Sequence, residues 1–167
     1  IDFEKLKFSS NNNFSFKINK KFKIEDFVLD SNLLIDEFIV SNKLNFKKFF
    51  PNIRENLNFS DHEISIKYYK DTLSIDGRGN ILIQEKNDYI IYSLNEKNKI
   101  LNFKTSLKIN DNPLKIDSLN FIKKKALIKL EGMKNRKREV NIKSFSINEK
   151  TDKIKVNNLT LNNKFEI

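Results

Sequence analysis

Ile64-Ser65-Ile66-Lys67-Tyr68-Tyr69-Lys70-Asp71-Thr72-Leu73-Ser74-Ile75-Asp76-Gly77-Arg78-Gly79-Asn80-Ile81-Leu82-Ile83 is the stretch that decides the fold class. Ile64, Ile66 and Tyr68 alternate with Ser65 and Lys67, and Leu73 and Ile75 flank Ser74. A period of two sends successive side chains to opposite faces of an extended strand. Lys70-Asp71 reads as one reversal. Asp76-Gly77-Arg78-Gly79 reads as the strongest hairpin signal in the chain, because glycine supplies the positive φ that a tight turn needs. Strand, turn, strand is therefore the grammar from which the rest is read.

The same alternation extends in both directions. Phe14, Phe16 and Ile18, then Phe27 and Leu29, carry it toward the N-terminus. Ile90, Tyr92 and Leu94, Leu101 and Phe103, Leu107 and Ile109, Leu114 and Ile116, and Leu119 and Phe121 carry it forward. Ile128 and Leu130, Val140 and Ile142, Phe145 and Ile147, Ile154 and Val156, Leu159 and Leu161, and Phe165 and Ile167 complete it. Clusters of Asn, Asp and Ser at 9–13, 30–32, 95–98, 110–113, 148–152, 157–158 and 162–163 read as turns, at the roughly 8–12-residue spacing of an all-β meander.

One segment departs from the rule. Leu44, Phe46, Phe49, Phe50, Ile53 and Leu57 fall at helical spacing with Pro51 among them, and proline is tolerated only in the first turn of a helix. The expectation is a short helical crossover, or two broken turns, within 42–58. It would separate a strand group at 1–41 from one at 62–167, with 42–61 as the connection, inside a single β-rich segment spanning 1–167. Because the pattern is already strand-like at Ile1 and still so at Ile167, the segment is expected to belong to a longer repeating array.

Composition narrows the function classes. The 167 residues include one Ala, three Gly and two Pro against 22 Ile and 15 Phe, an alphabet suited to pleated, half-buried surfaces rather than helical bundles. Cysteine is absent and His62 is the sole histidine, so neither a thiolate nor a two-histidine metal site can form. No run of apolar residues approaches the roughly 20 that a membrane-spanning helix requires. The net charge is +10, with 28 Lys against only 4 Arg. Lysine is the generic solvating cation rather than the phosphate fork, so the charge reads as mostly compositional. The chain is expected to be non-enzymatic, with no metal and no cofactor.

The residues between the apolar ones are Lys, Asn, Ser and Asp, so each strand has one wet face and one apolar face. A sandwich hides such faces by stacking two sheets, whereas a curled open sheet leaves a groove. Long Ile, Leu and Phe dominate the inward set and small residues are scarce, which favours the groove. The expected fold is all-β, mostly antiparallel, a curled open sheet shaped like a taco. Its expected lining is Phe16, Ile18, Phe27, Leu29, Ile66, Ile75, Ile81, Ile83, Tyr92 and Phe103 from the front of the chain. Ile109, Ile116, Phe121, Ile128, Leu130, Phe145, Ile147, Ile154, Val156 and Leu161 continue it.

Other candidates read as ordinary structure. Ser60-Asp61-His62-Glu63 offers a base between carboxylates, but neighbours on an extended chain point apart, and a polar turn before Ile64 is the better account. Gly77-Arg78-Gly79 lacks the longer glycine pattern and following helix of a phosphate loop. Lys123-Lys124-Lys125 and 134–138 form the strongest basic runs and read as an edge strand and a hairpin tip. The aromatic residues share the apolar register rather than alternating with arginine, so nucleic-acid stacking is not expected.

Asp88-Tyr89-Ile90-Ile91-Tyr92-Ser93-Leu94, the strand around Phe103, and Leu114-Lys115-Ile116-Asp117-Ser118-Leu119-Asn120-Phe121-Ile122-Lys123 are followed by alternating segments at 140–147, 154–161 and 165–167. Over about 60–167 this pattern resembles the central β-rich region of bacterial AsmA-like proteins of the YhdP and TamB type. The resemblance implies a long open β-groove that conducts phospholipid acyl chains between membranes. It also implies a periplasmic setting, tethered to the inner membrane through sequence outside these residues, and no catalytic residues. Phospholipids are then the expected partners. The alternative is a structural or adhesive β-solenoid or sandwich module with a packed core and no ligand.

Overall fold

The computed structural model describes residues 3–42, 46–137 and 139–162. Nine strands account for almost all of them: β1 (Phe3–Ile18), β2 (Ile24–Ser41), β3 (Asn56–Tyr69), β4 (Thr72–Leu82), β5 (Asn87–Lys97), β6 (Ile100–Ile116), β7 (Phe121–Lys134), β8 (Val140–Glu149) and β9 (Asp152–Leu161). Each pairs antiparallel with the next, in the order β1 to β9, within one sheet. The two strand groups read from the sequence are thus continuous, joined through β2 and β3. The first and last strands do not meet, and the sheet is a single open, uncurled layer. Its register shifts fall in four strand pairs, β1–β2, β3–β4, β6–β7 and β7–β8. β4–β5 and β5–β6 pair without a shift, so no line of kinks crosses the whole sheet, as deliberate curvature would need.

The hairpin expected at Asp76-Gly77-Arg78-Gly79 does not form. β4 runs straight through it, and among the described residues no glycine has a positive φ. These glycines serve close approach instead. A Cβ on Gly77 would lie 2.3 Å from the Tyr92 ring, and one on Gly79 would lie 2.7 Å from the His62 Cα. Gly132 is the same device in β7, where a Cβ would sit 2.7 Å from the Phe103 ring. Reversal falls at Lys70-Asp71, both left-handed at φ 47° and 58°, as the sequence indicates. Asn98-Lys99 turns in the same way.

Several expected turns are strand. The cluster at 9–13 lies within β1 and that at 30–32 within β2, facing each other as Asn11–Asn32, Asn12–Ser31 and Asn13–Asp30. The Ser31 hydroxyl donates to Asn12 Oδ1. Cross-strand pairing of small polar side chains overrides their turn preference. Residues 110–113 form a bulge inside β6, with Asp111 at φ 58°. Asn157 and Asn158 lie within β9. Leu44, Asn163, Phe165 and Ile167 lie outside the described residues.

The connection between β2 and β3 is not helical over its described part. It makes successive turns, with Phe50 N–H donating to the Phe46 carbonyl and Ile53 N–H to that of Phe50. Its remaining backbone groups turn outward. Arg54 N–H donates to the Ile83 carbonyl, Lys115 N–H to that of Phe49, and Asn52 N–H to Gln84 Oε1. Backbone groups must find partners somewhere, and here the sheet end supplies them. The segment therefore caps one end of the sheet, where Phe50 packs against Ile109, Leu114, Phe121, Ala126 and Ile147. That is the only cluster of buried apolar residues among those described. A single 3-10 turn, Asp117–Leu119, joins β6 to β7, and among the described residues no helix is long and apolar enough to cross a membrane.

Candidate functional site

Register carries the apolar positions across the whole sheet. Asn12, Ser31, Ile66, Ile75, Leu94, Phe103, Gly132, Ile142 and Leu159 are successive partners, one from each strand. A neighbouring row runs Ser10, Leu33, Ile64, Gly77, Tyr92, Thr105, Leu130, Phe145 and Val156. A third joins Ile90, Leu107, Ile128, Ile147 and Ile154. Paired residues share a face, so these rows make one apolar surface.

The other residues expected to line it fall as follows. Leu29 pairs with Phe14 and Tyr68, and Ile81 with Phe59 and Asp88. Ile109 pairs with Ala126, Ile116 with Phe121, and Leu161 with Val140. Ile18 pairs with Ile24 at the far corner of β1. Phe16 stacks on Phe14 at 6.4 Å and Phe27 meets Tyr68 at 5.9 Å. Ile83 is buried beside the cap. Phe59, His62 and Leu33 belong to the same surface, although the sequence reading placed none of them there and took His62 for part of a polar turn. For Phe59 and His62 the signal is hidden by the bulge at Asp61, whose φ of 49° shifts the alternation by one residue, whereas Leu33 sits in the unbroken apolar run Leu33-Leu34-Ile35 of β2.

This surface is uncovered. The accessible area of the chain is 11963 Å², against about 8,600 Å² for a compact monomer of this mass. The excess is that of a sheet without a second layer. The buried apolar cluster lies at the capped end, while Phe8, Phe14, Phe16 and Val156 are exposed.

The largest hollow lies on the opposite face, about 820 Å³, between two cross-strand rows. One row contains Leu34, Glu63, Arg78 and Ile91, and the other Asn32, Ser65, Asp76 and Ser93. Of the expected lining residues only Tyr92 borders it. Arg78 Nε donates to Glu63 Oε2 at 2.8 Å, so those two charges offset each other, while Asp76 and Lys104 also border the hollow. A second hollow of about 570 Å³ is bordered by Lys104, Lys129, Lys153 and Lys155.

His62 is 2% exposed, within a strand rather than a turn. It stacks on Tyr92 at 5.9 Å and meets Phe59 edge-on at 5.5 Å. The flanking carboxylates engage other groups, Asp61 accepting from Asn80 Nδ2 and Glu63 from Arg78. Neither ring nitrogen has a side-chain hydrogen bond of good geometry, and burial holds the imidazole below its ordinary value of 6.5, partly offset by the Asn80 backbone. A depressed folded-state value means that the unfolded chain takes up the proton first. Stability should therefore be level above pH 6.5 and fall as pH drops below it, by up to about 1.4 kcal/mol per pH unit. Denaturant melts at pH 7, 6 and 5 should show this slope in the native chain and a shallower one in His62→Phe.

The basic runs are dispersed. Lys123 pairs with Asp152 at 2.5 Å and with Glu149 at 3.3 Å. Arg136 Nε donates to the Asn98 carbonyl, and Arg138 lies outside the described residues. At the capped end Asn112 donates to the Lys86 carbonyl and to Asp88 Oδ1, and its own Oδ1 accepts from Lys86 N–H. Burial raises the Asp88 carboxyl, against the lowering effect of its bonds from Asn110 and Asn112. This cluster pins the bulge of β6 to the loop after β4.

Comparison with known proteins returns no match among family models, curated proteins or solved structures.

Proposed function

We propose that the apolar face is a surface for the acyl chains of lipids, and that the chain acts by holding them and letting them slide rather than by catalysing a reaction. The observation that carries this is the pair of nine-strand rows, which are apolar for most of their length and uncovered except at the capped end. At about 4.8 Å between strands the face is roughly 38 Å across, longer than an extended acyl chain. Full burial of a chain of about fifteen carbons is worth on the order of 10 kcal/mol, and about half of that on an open face. Because successive rows repeat the same Ile, Leu and Phe chemistry, displacement along them leaves that gain nearly constant. On the AsmA-like resemblance the setting is the periplasm, with attachment to the inner membrane through sequence outside these residues, and phospholipids are the cargo.

The test is photo-crosslinking with a diazirine-bearing fatty acyl probe, on the native chain and on Phe103→Asp and Val156→Asp. Both sites are on the face and away from the buried cluster, so a carboxylate there keeps water and the sheet should stay folded. Crosslinking should fall at least tenfold in each variant. A native chain that does not crosslink would overturn the proposal and favour a structural module.

A further inference from the structure

The turn joining β1 to β2, Asn19-Lys20-Lys21-Phe22-Lys23, has a feature that the fold does not need. Phe22 is 91% exposed, the most exposed large apolar residue among those described, and its φ is 57°. A bulky side chain in the left-handed region is an outlier, where Gly, Asn or Asp is the usual occupant. Among the described residues no ring or cation contact of the Phe22 side chain repays the strain or the exposure. The turn is nonetheless well made. Asn19 Oδ1 accepts from the N–H groups of Lys21 and Lys23, Asn19 N–H donates to the Lys23 carbonyl, and Phe22 N–H donates to the Asn19 carbonyl. Lys17 pairs with Asp26 at 2.7 Å just behind it. A fixed turn thus holds Phe22 outward.

Its neighbours define the partner. Lys20, Lys21 and Lys23 are exposed, and none of the three makes an ion pair among the described residues. Behind them Ile18 and Ile24 are also exposed. We infer that this hairpin tip inserts Phe22 into the interface of a bilayer bearing anionic phosphate headgroups, with the three lysines on those headgroups. An aromatic side chain among cations suits the boundary between headgroup and acyl layers. The tip lies at the end of the sheet opposite the cap, so insertion would bring the uncovered end of the apolar face to the lipid. This extends the acyl-chain reading without depending on it, since membrane attachment and acyl-chain occupancy are read separately.

The chain has no tryptophan, so Phe22→Trp gives a single reporter. Its emission should shift to the blue on vesicles of phosphatidylcholine with 30% phosphatidylglycerol, and brominated lipid should quench it. In co-sedimentation, Phe22→Asn should lower partitioning at least tenfold while its melting temperature is unchanged or raised, because asparagine suits that φ. Lys20→Gln, Lys21→Gln and Lys23→Gln should each cost about fivefold on anionic vesicles and little on phosphatidylcholine alone. Unshifted Trp emission, or native-like partitioning by Phe22→Asn, would overturn the proposal. So would retention on single-stranded DNA through the same lysines when the vesicles are ignored. A chain that binds vesicles yet does not crosslink the acyl probe would leave the tip standing and remove the conduit.

Discussion

Ile109→Asp is expected to unfold the chain, whereas Phe103→Asp, six residues earlier on the same strand and the same face, is expected to leave it folded. Ile109 is 1% exposed and packs with Leu114, Phe121, Ala126 and Ile147 under Phe50. An ionised carboxylate there has no partner and no water, a penalty of about 3–5 kcal/mol in addition to the lost packing. Domains of this size are rarely stabilised by more than about 15 kcal/mol, and this one has a single small cluster to draw on. At Phe103 the carboxylate faces solvent across an uncovered surface. It loses the ring over Gly132 but keeps its hydration. Far-ultraviolet circular dichroism of the two variants at 25 °C separates the cases. If both unfold alike, the face around Phe103 is covered and the single-layer account fails.

Asn112→Leu should be nearly as damaging despite keeping the branched shape of the side chain. Asn112 is wholly buried and satisfies Lys86 N–H, the Lys86 carbonyl and Asp88 Oδ1 together. Leucine would strip a partner from each, and each buried polar group left unpaired costs about 1–3 kcal/mol. A total loss of about 3 kcal/mol is expected once partial access of water to the exposed Lys86 is allowed for. Asn11→Leu, at an exposed ladder position in β1, should change stability by no more than about 0.5 kcal/mol. Urea melts of the two asparagine variants make the comparison. Equal losses would mean that the capped end is not pinned by this cluster.

The all-β class and the division into a wet and an apolar face were legible in the sequence, because period-two alternation encodes facing directly. Ile66, Ile75 and Ile81, and the expected residues from Phe103 to Leu161, fall on strands, whereas Ile83 lies just beyond the end of β4. The misplaced turns have one cause. Asn, Ser and Asp at 9–13 and 30–32 form a polar ladder between two long strands, and composition cannot distinguish a ladder from a loop when both strands carry it. The glycines at 77 and 79 misled for a related reason. Their purpose is set by Tyr92 and His62 on neighbouring strands, contacts that local sequence does not contain. Helical spacing at 46–57 did not make a helix because the backbone turns to bond with the end of the sheet and only Phe50 packs on the buried cluster there, Phe46 and Phe49 being exposed. Phe22 was invisible because an apolar residue between lysines looks like ordinary alternation, and only its backbone conformation and exposure mark it.

The most direct measurement of the central claim is the map of crosslinks made by the acyl probe on the native chain, read by peptide mass spectrometry. Attachment should concentrate on the apolar rows, at Ile75, Phe103, Leu130, Phe145 and Val156, and avoid the polar rows at Ser65, Ser93 and Lys104. Attachment spread evenly over both faces, or gathered in the hollow beside Arg78 and Ile91, would contradict it.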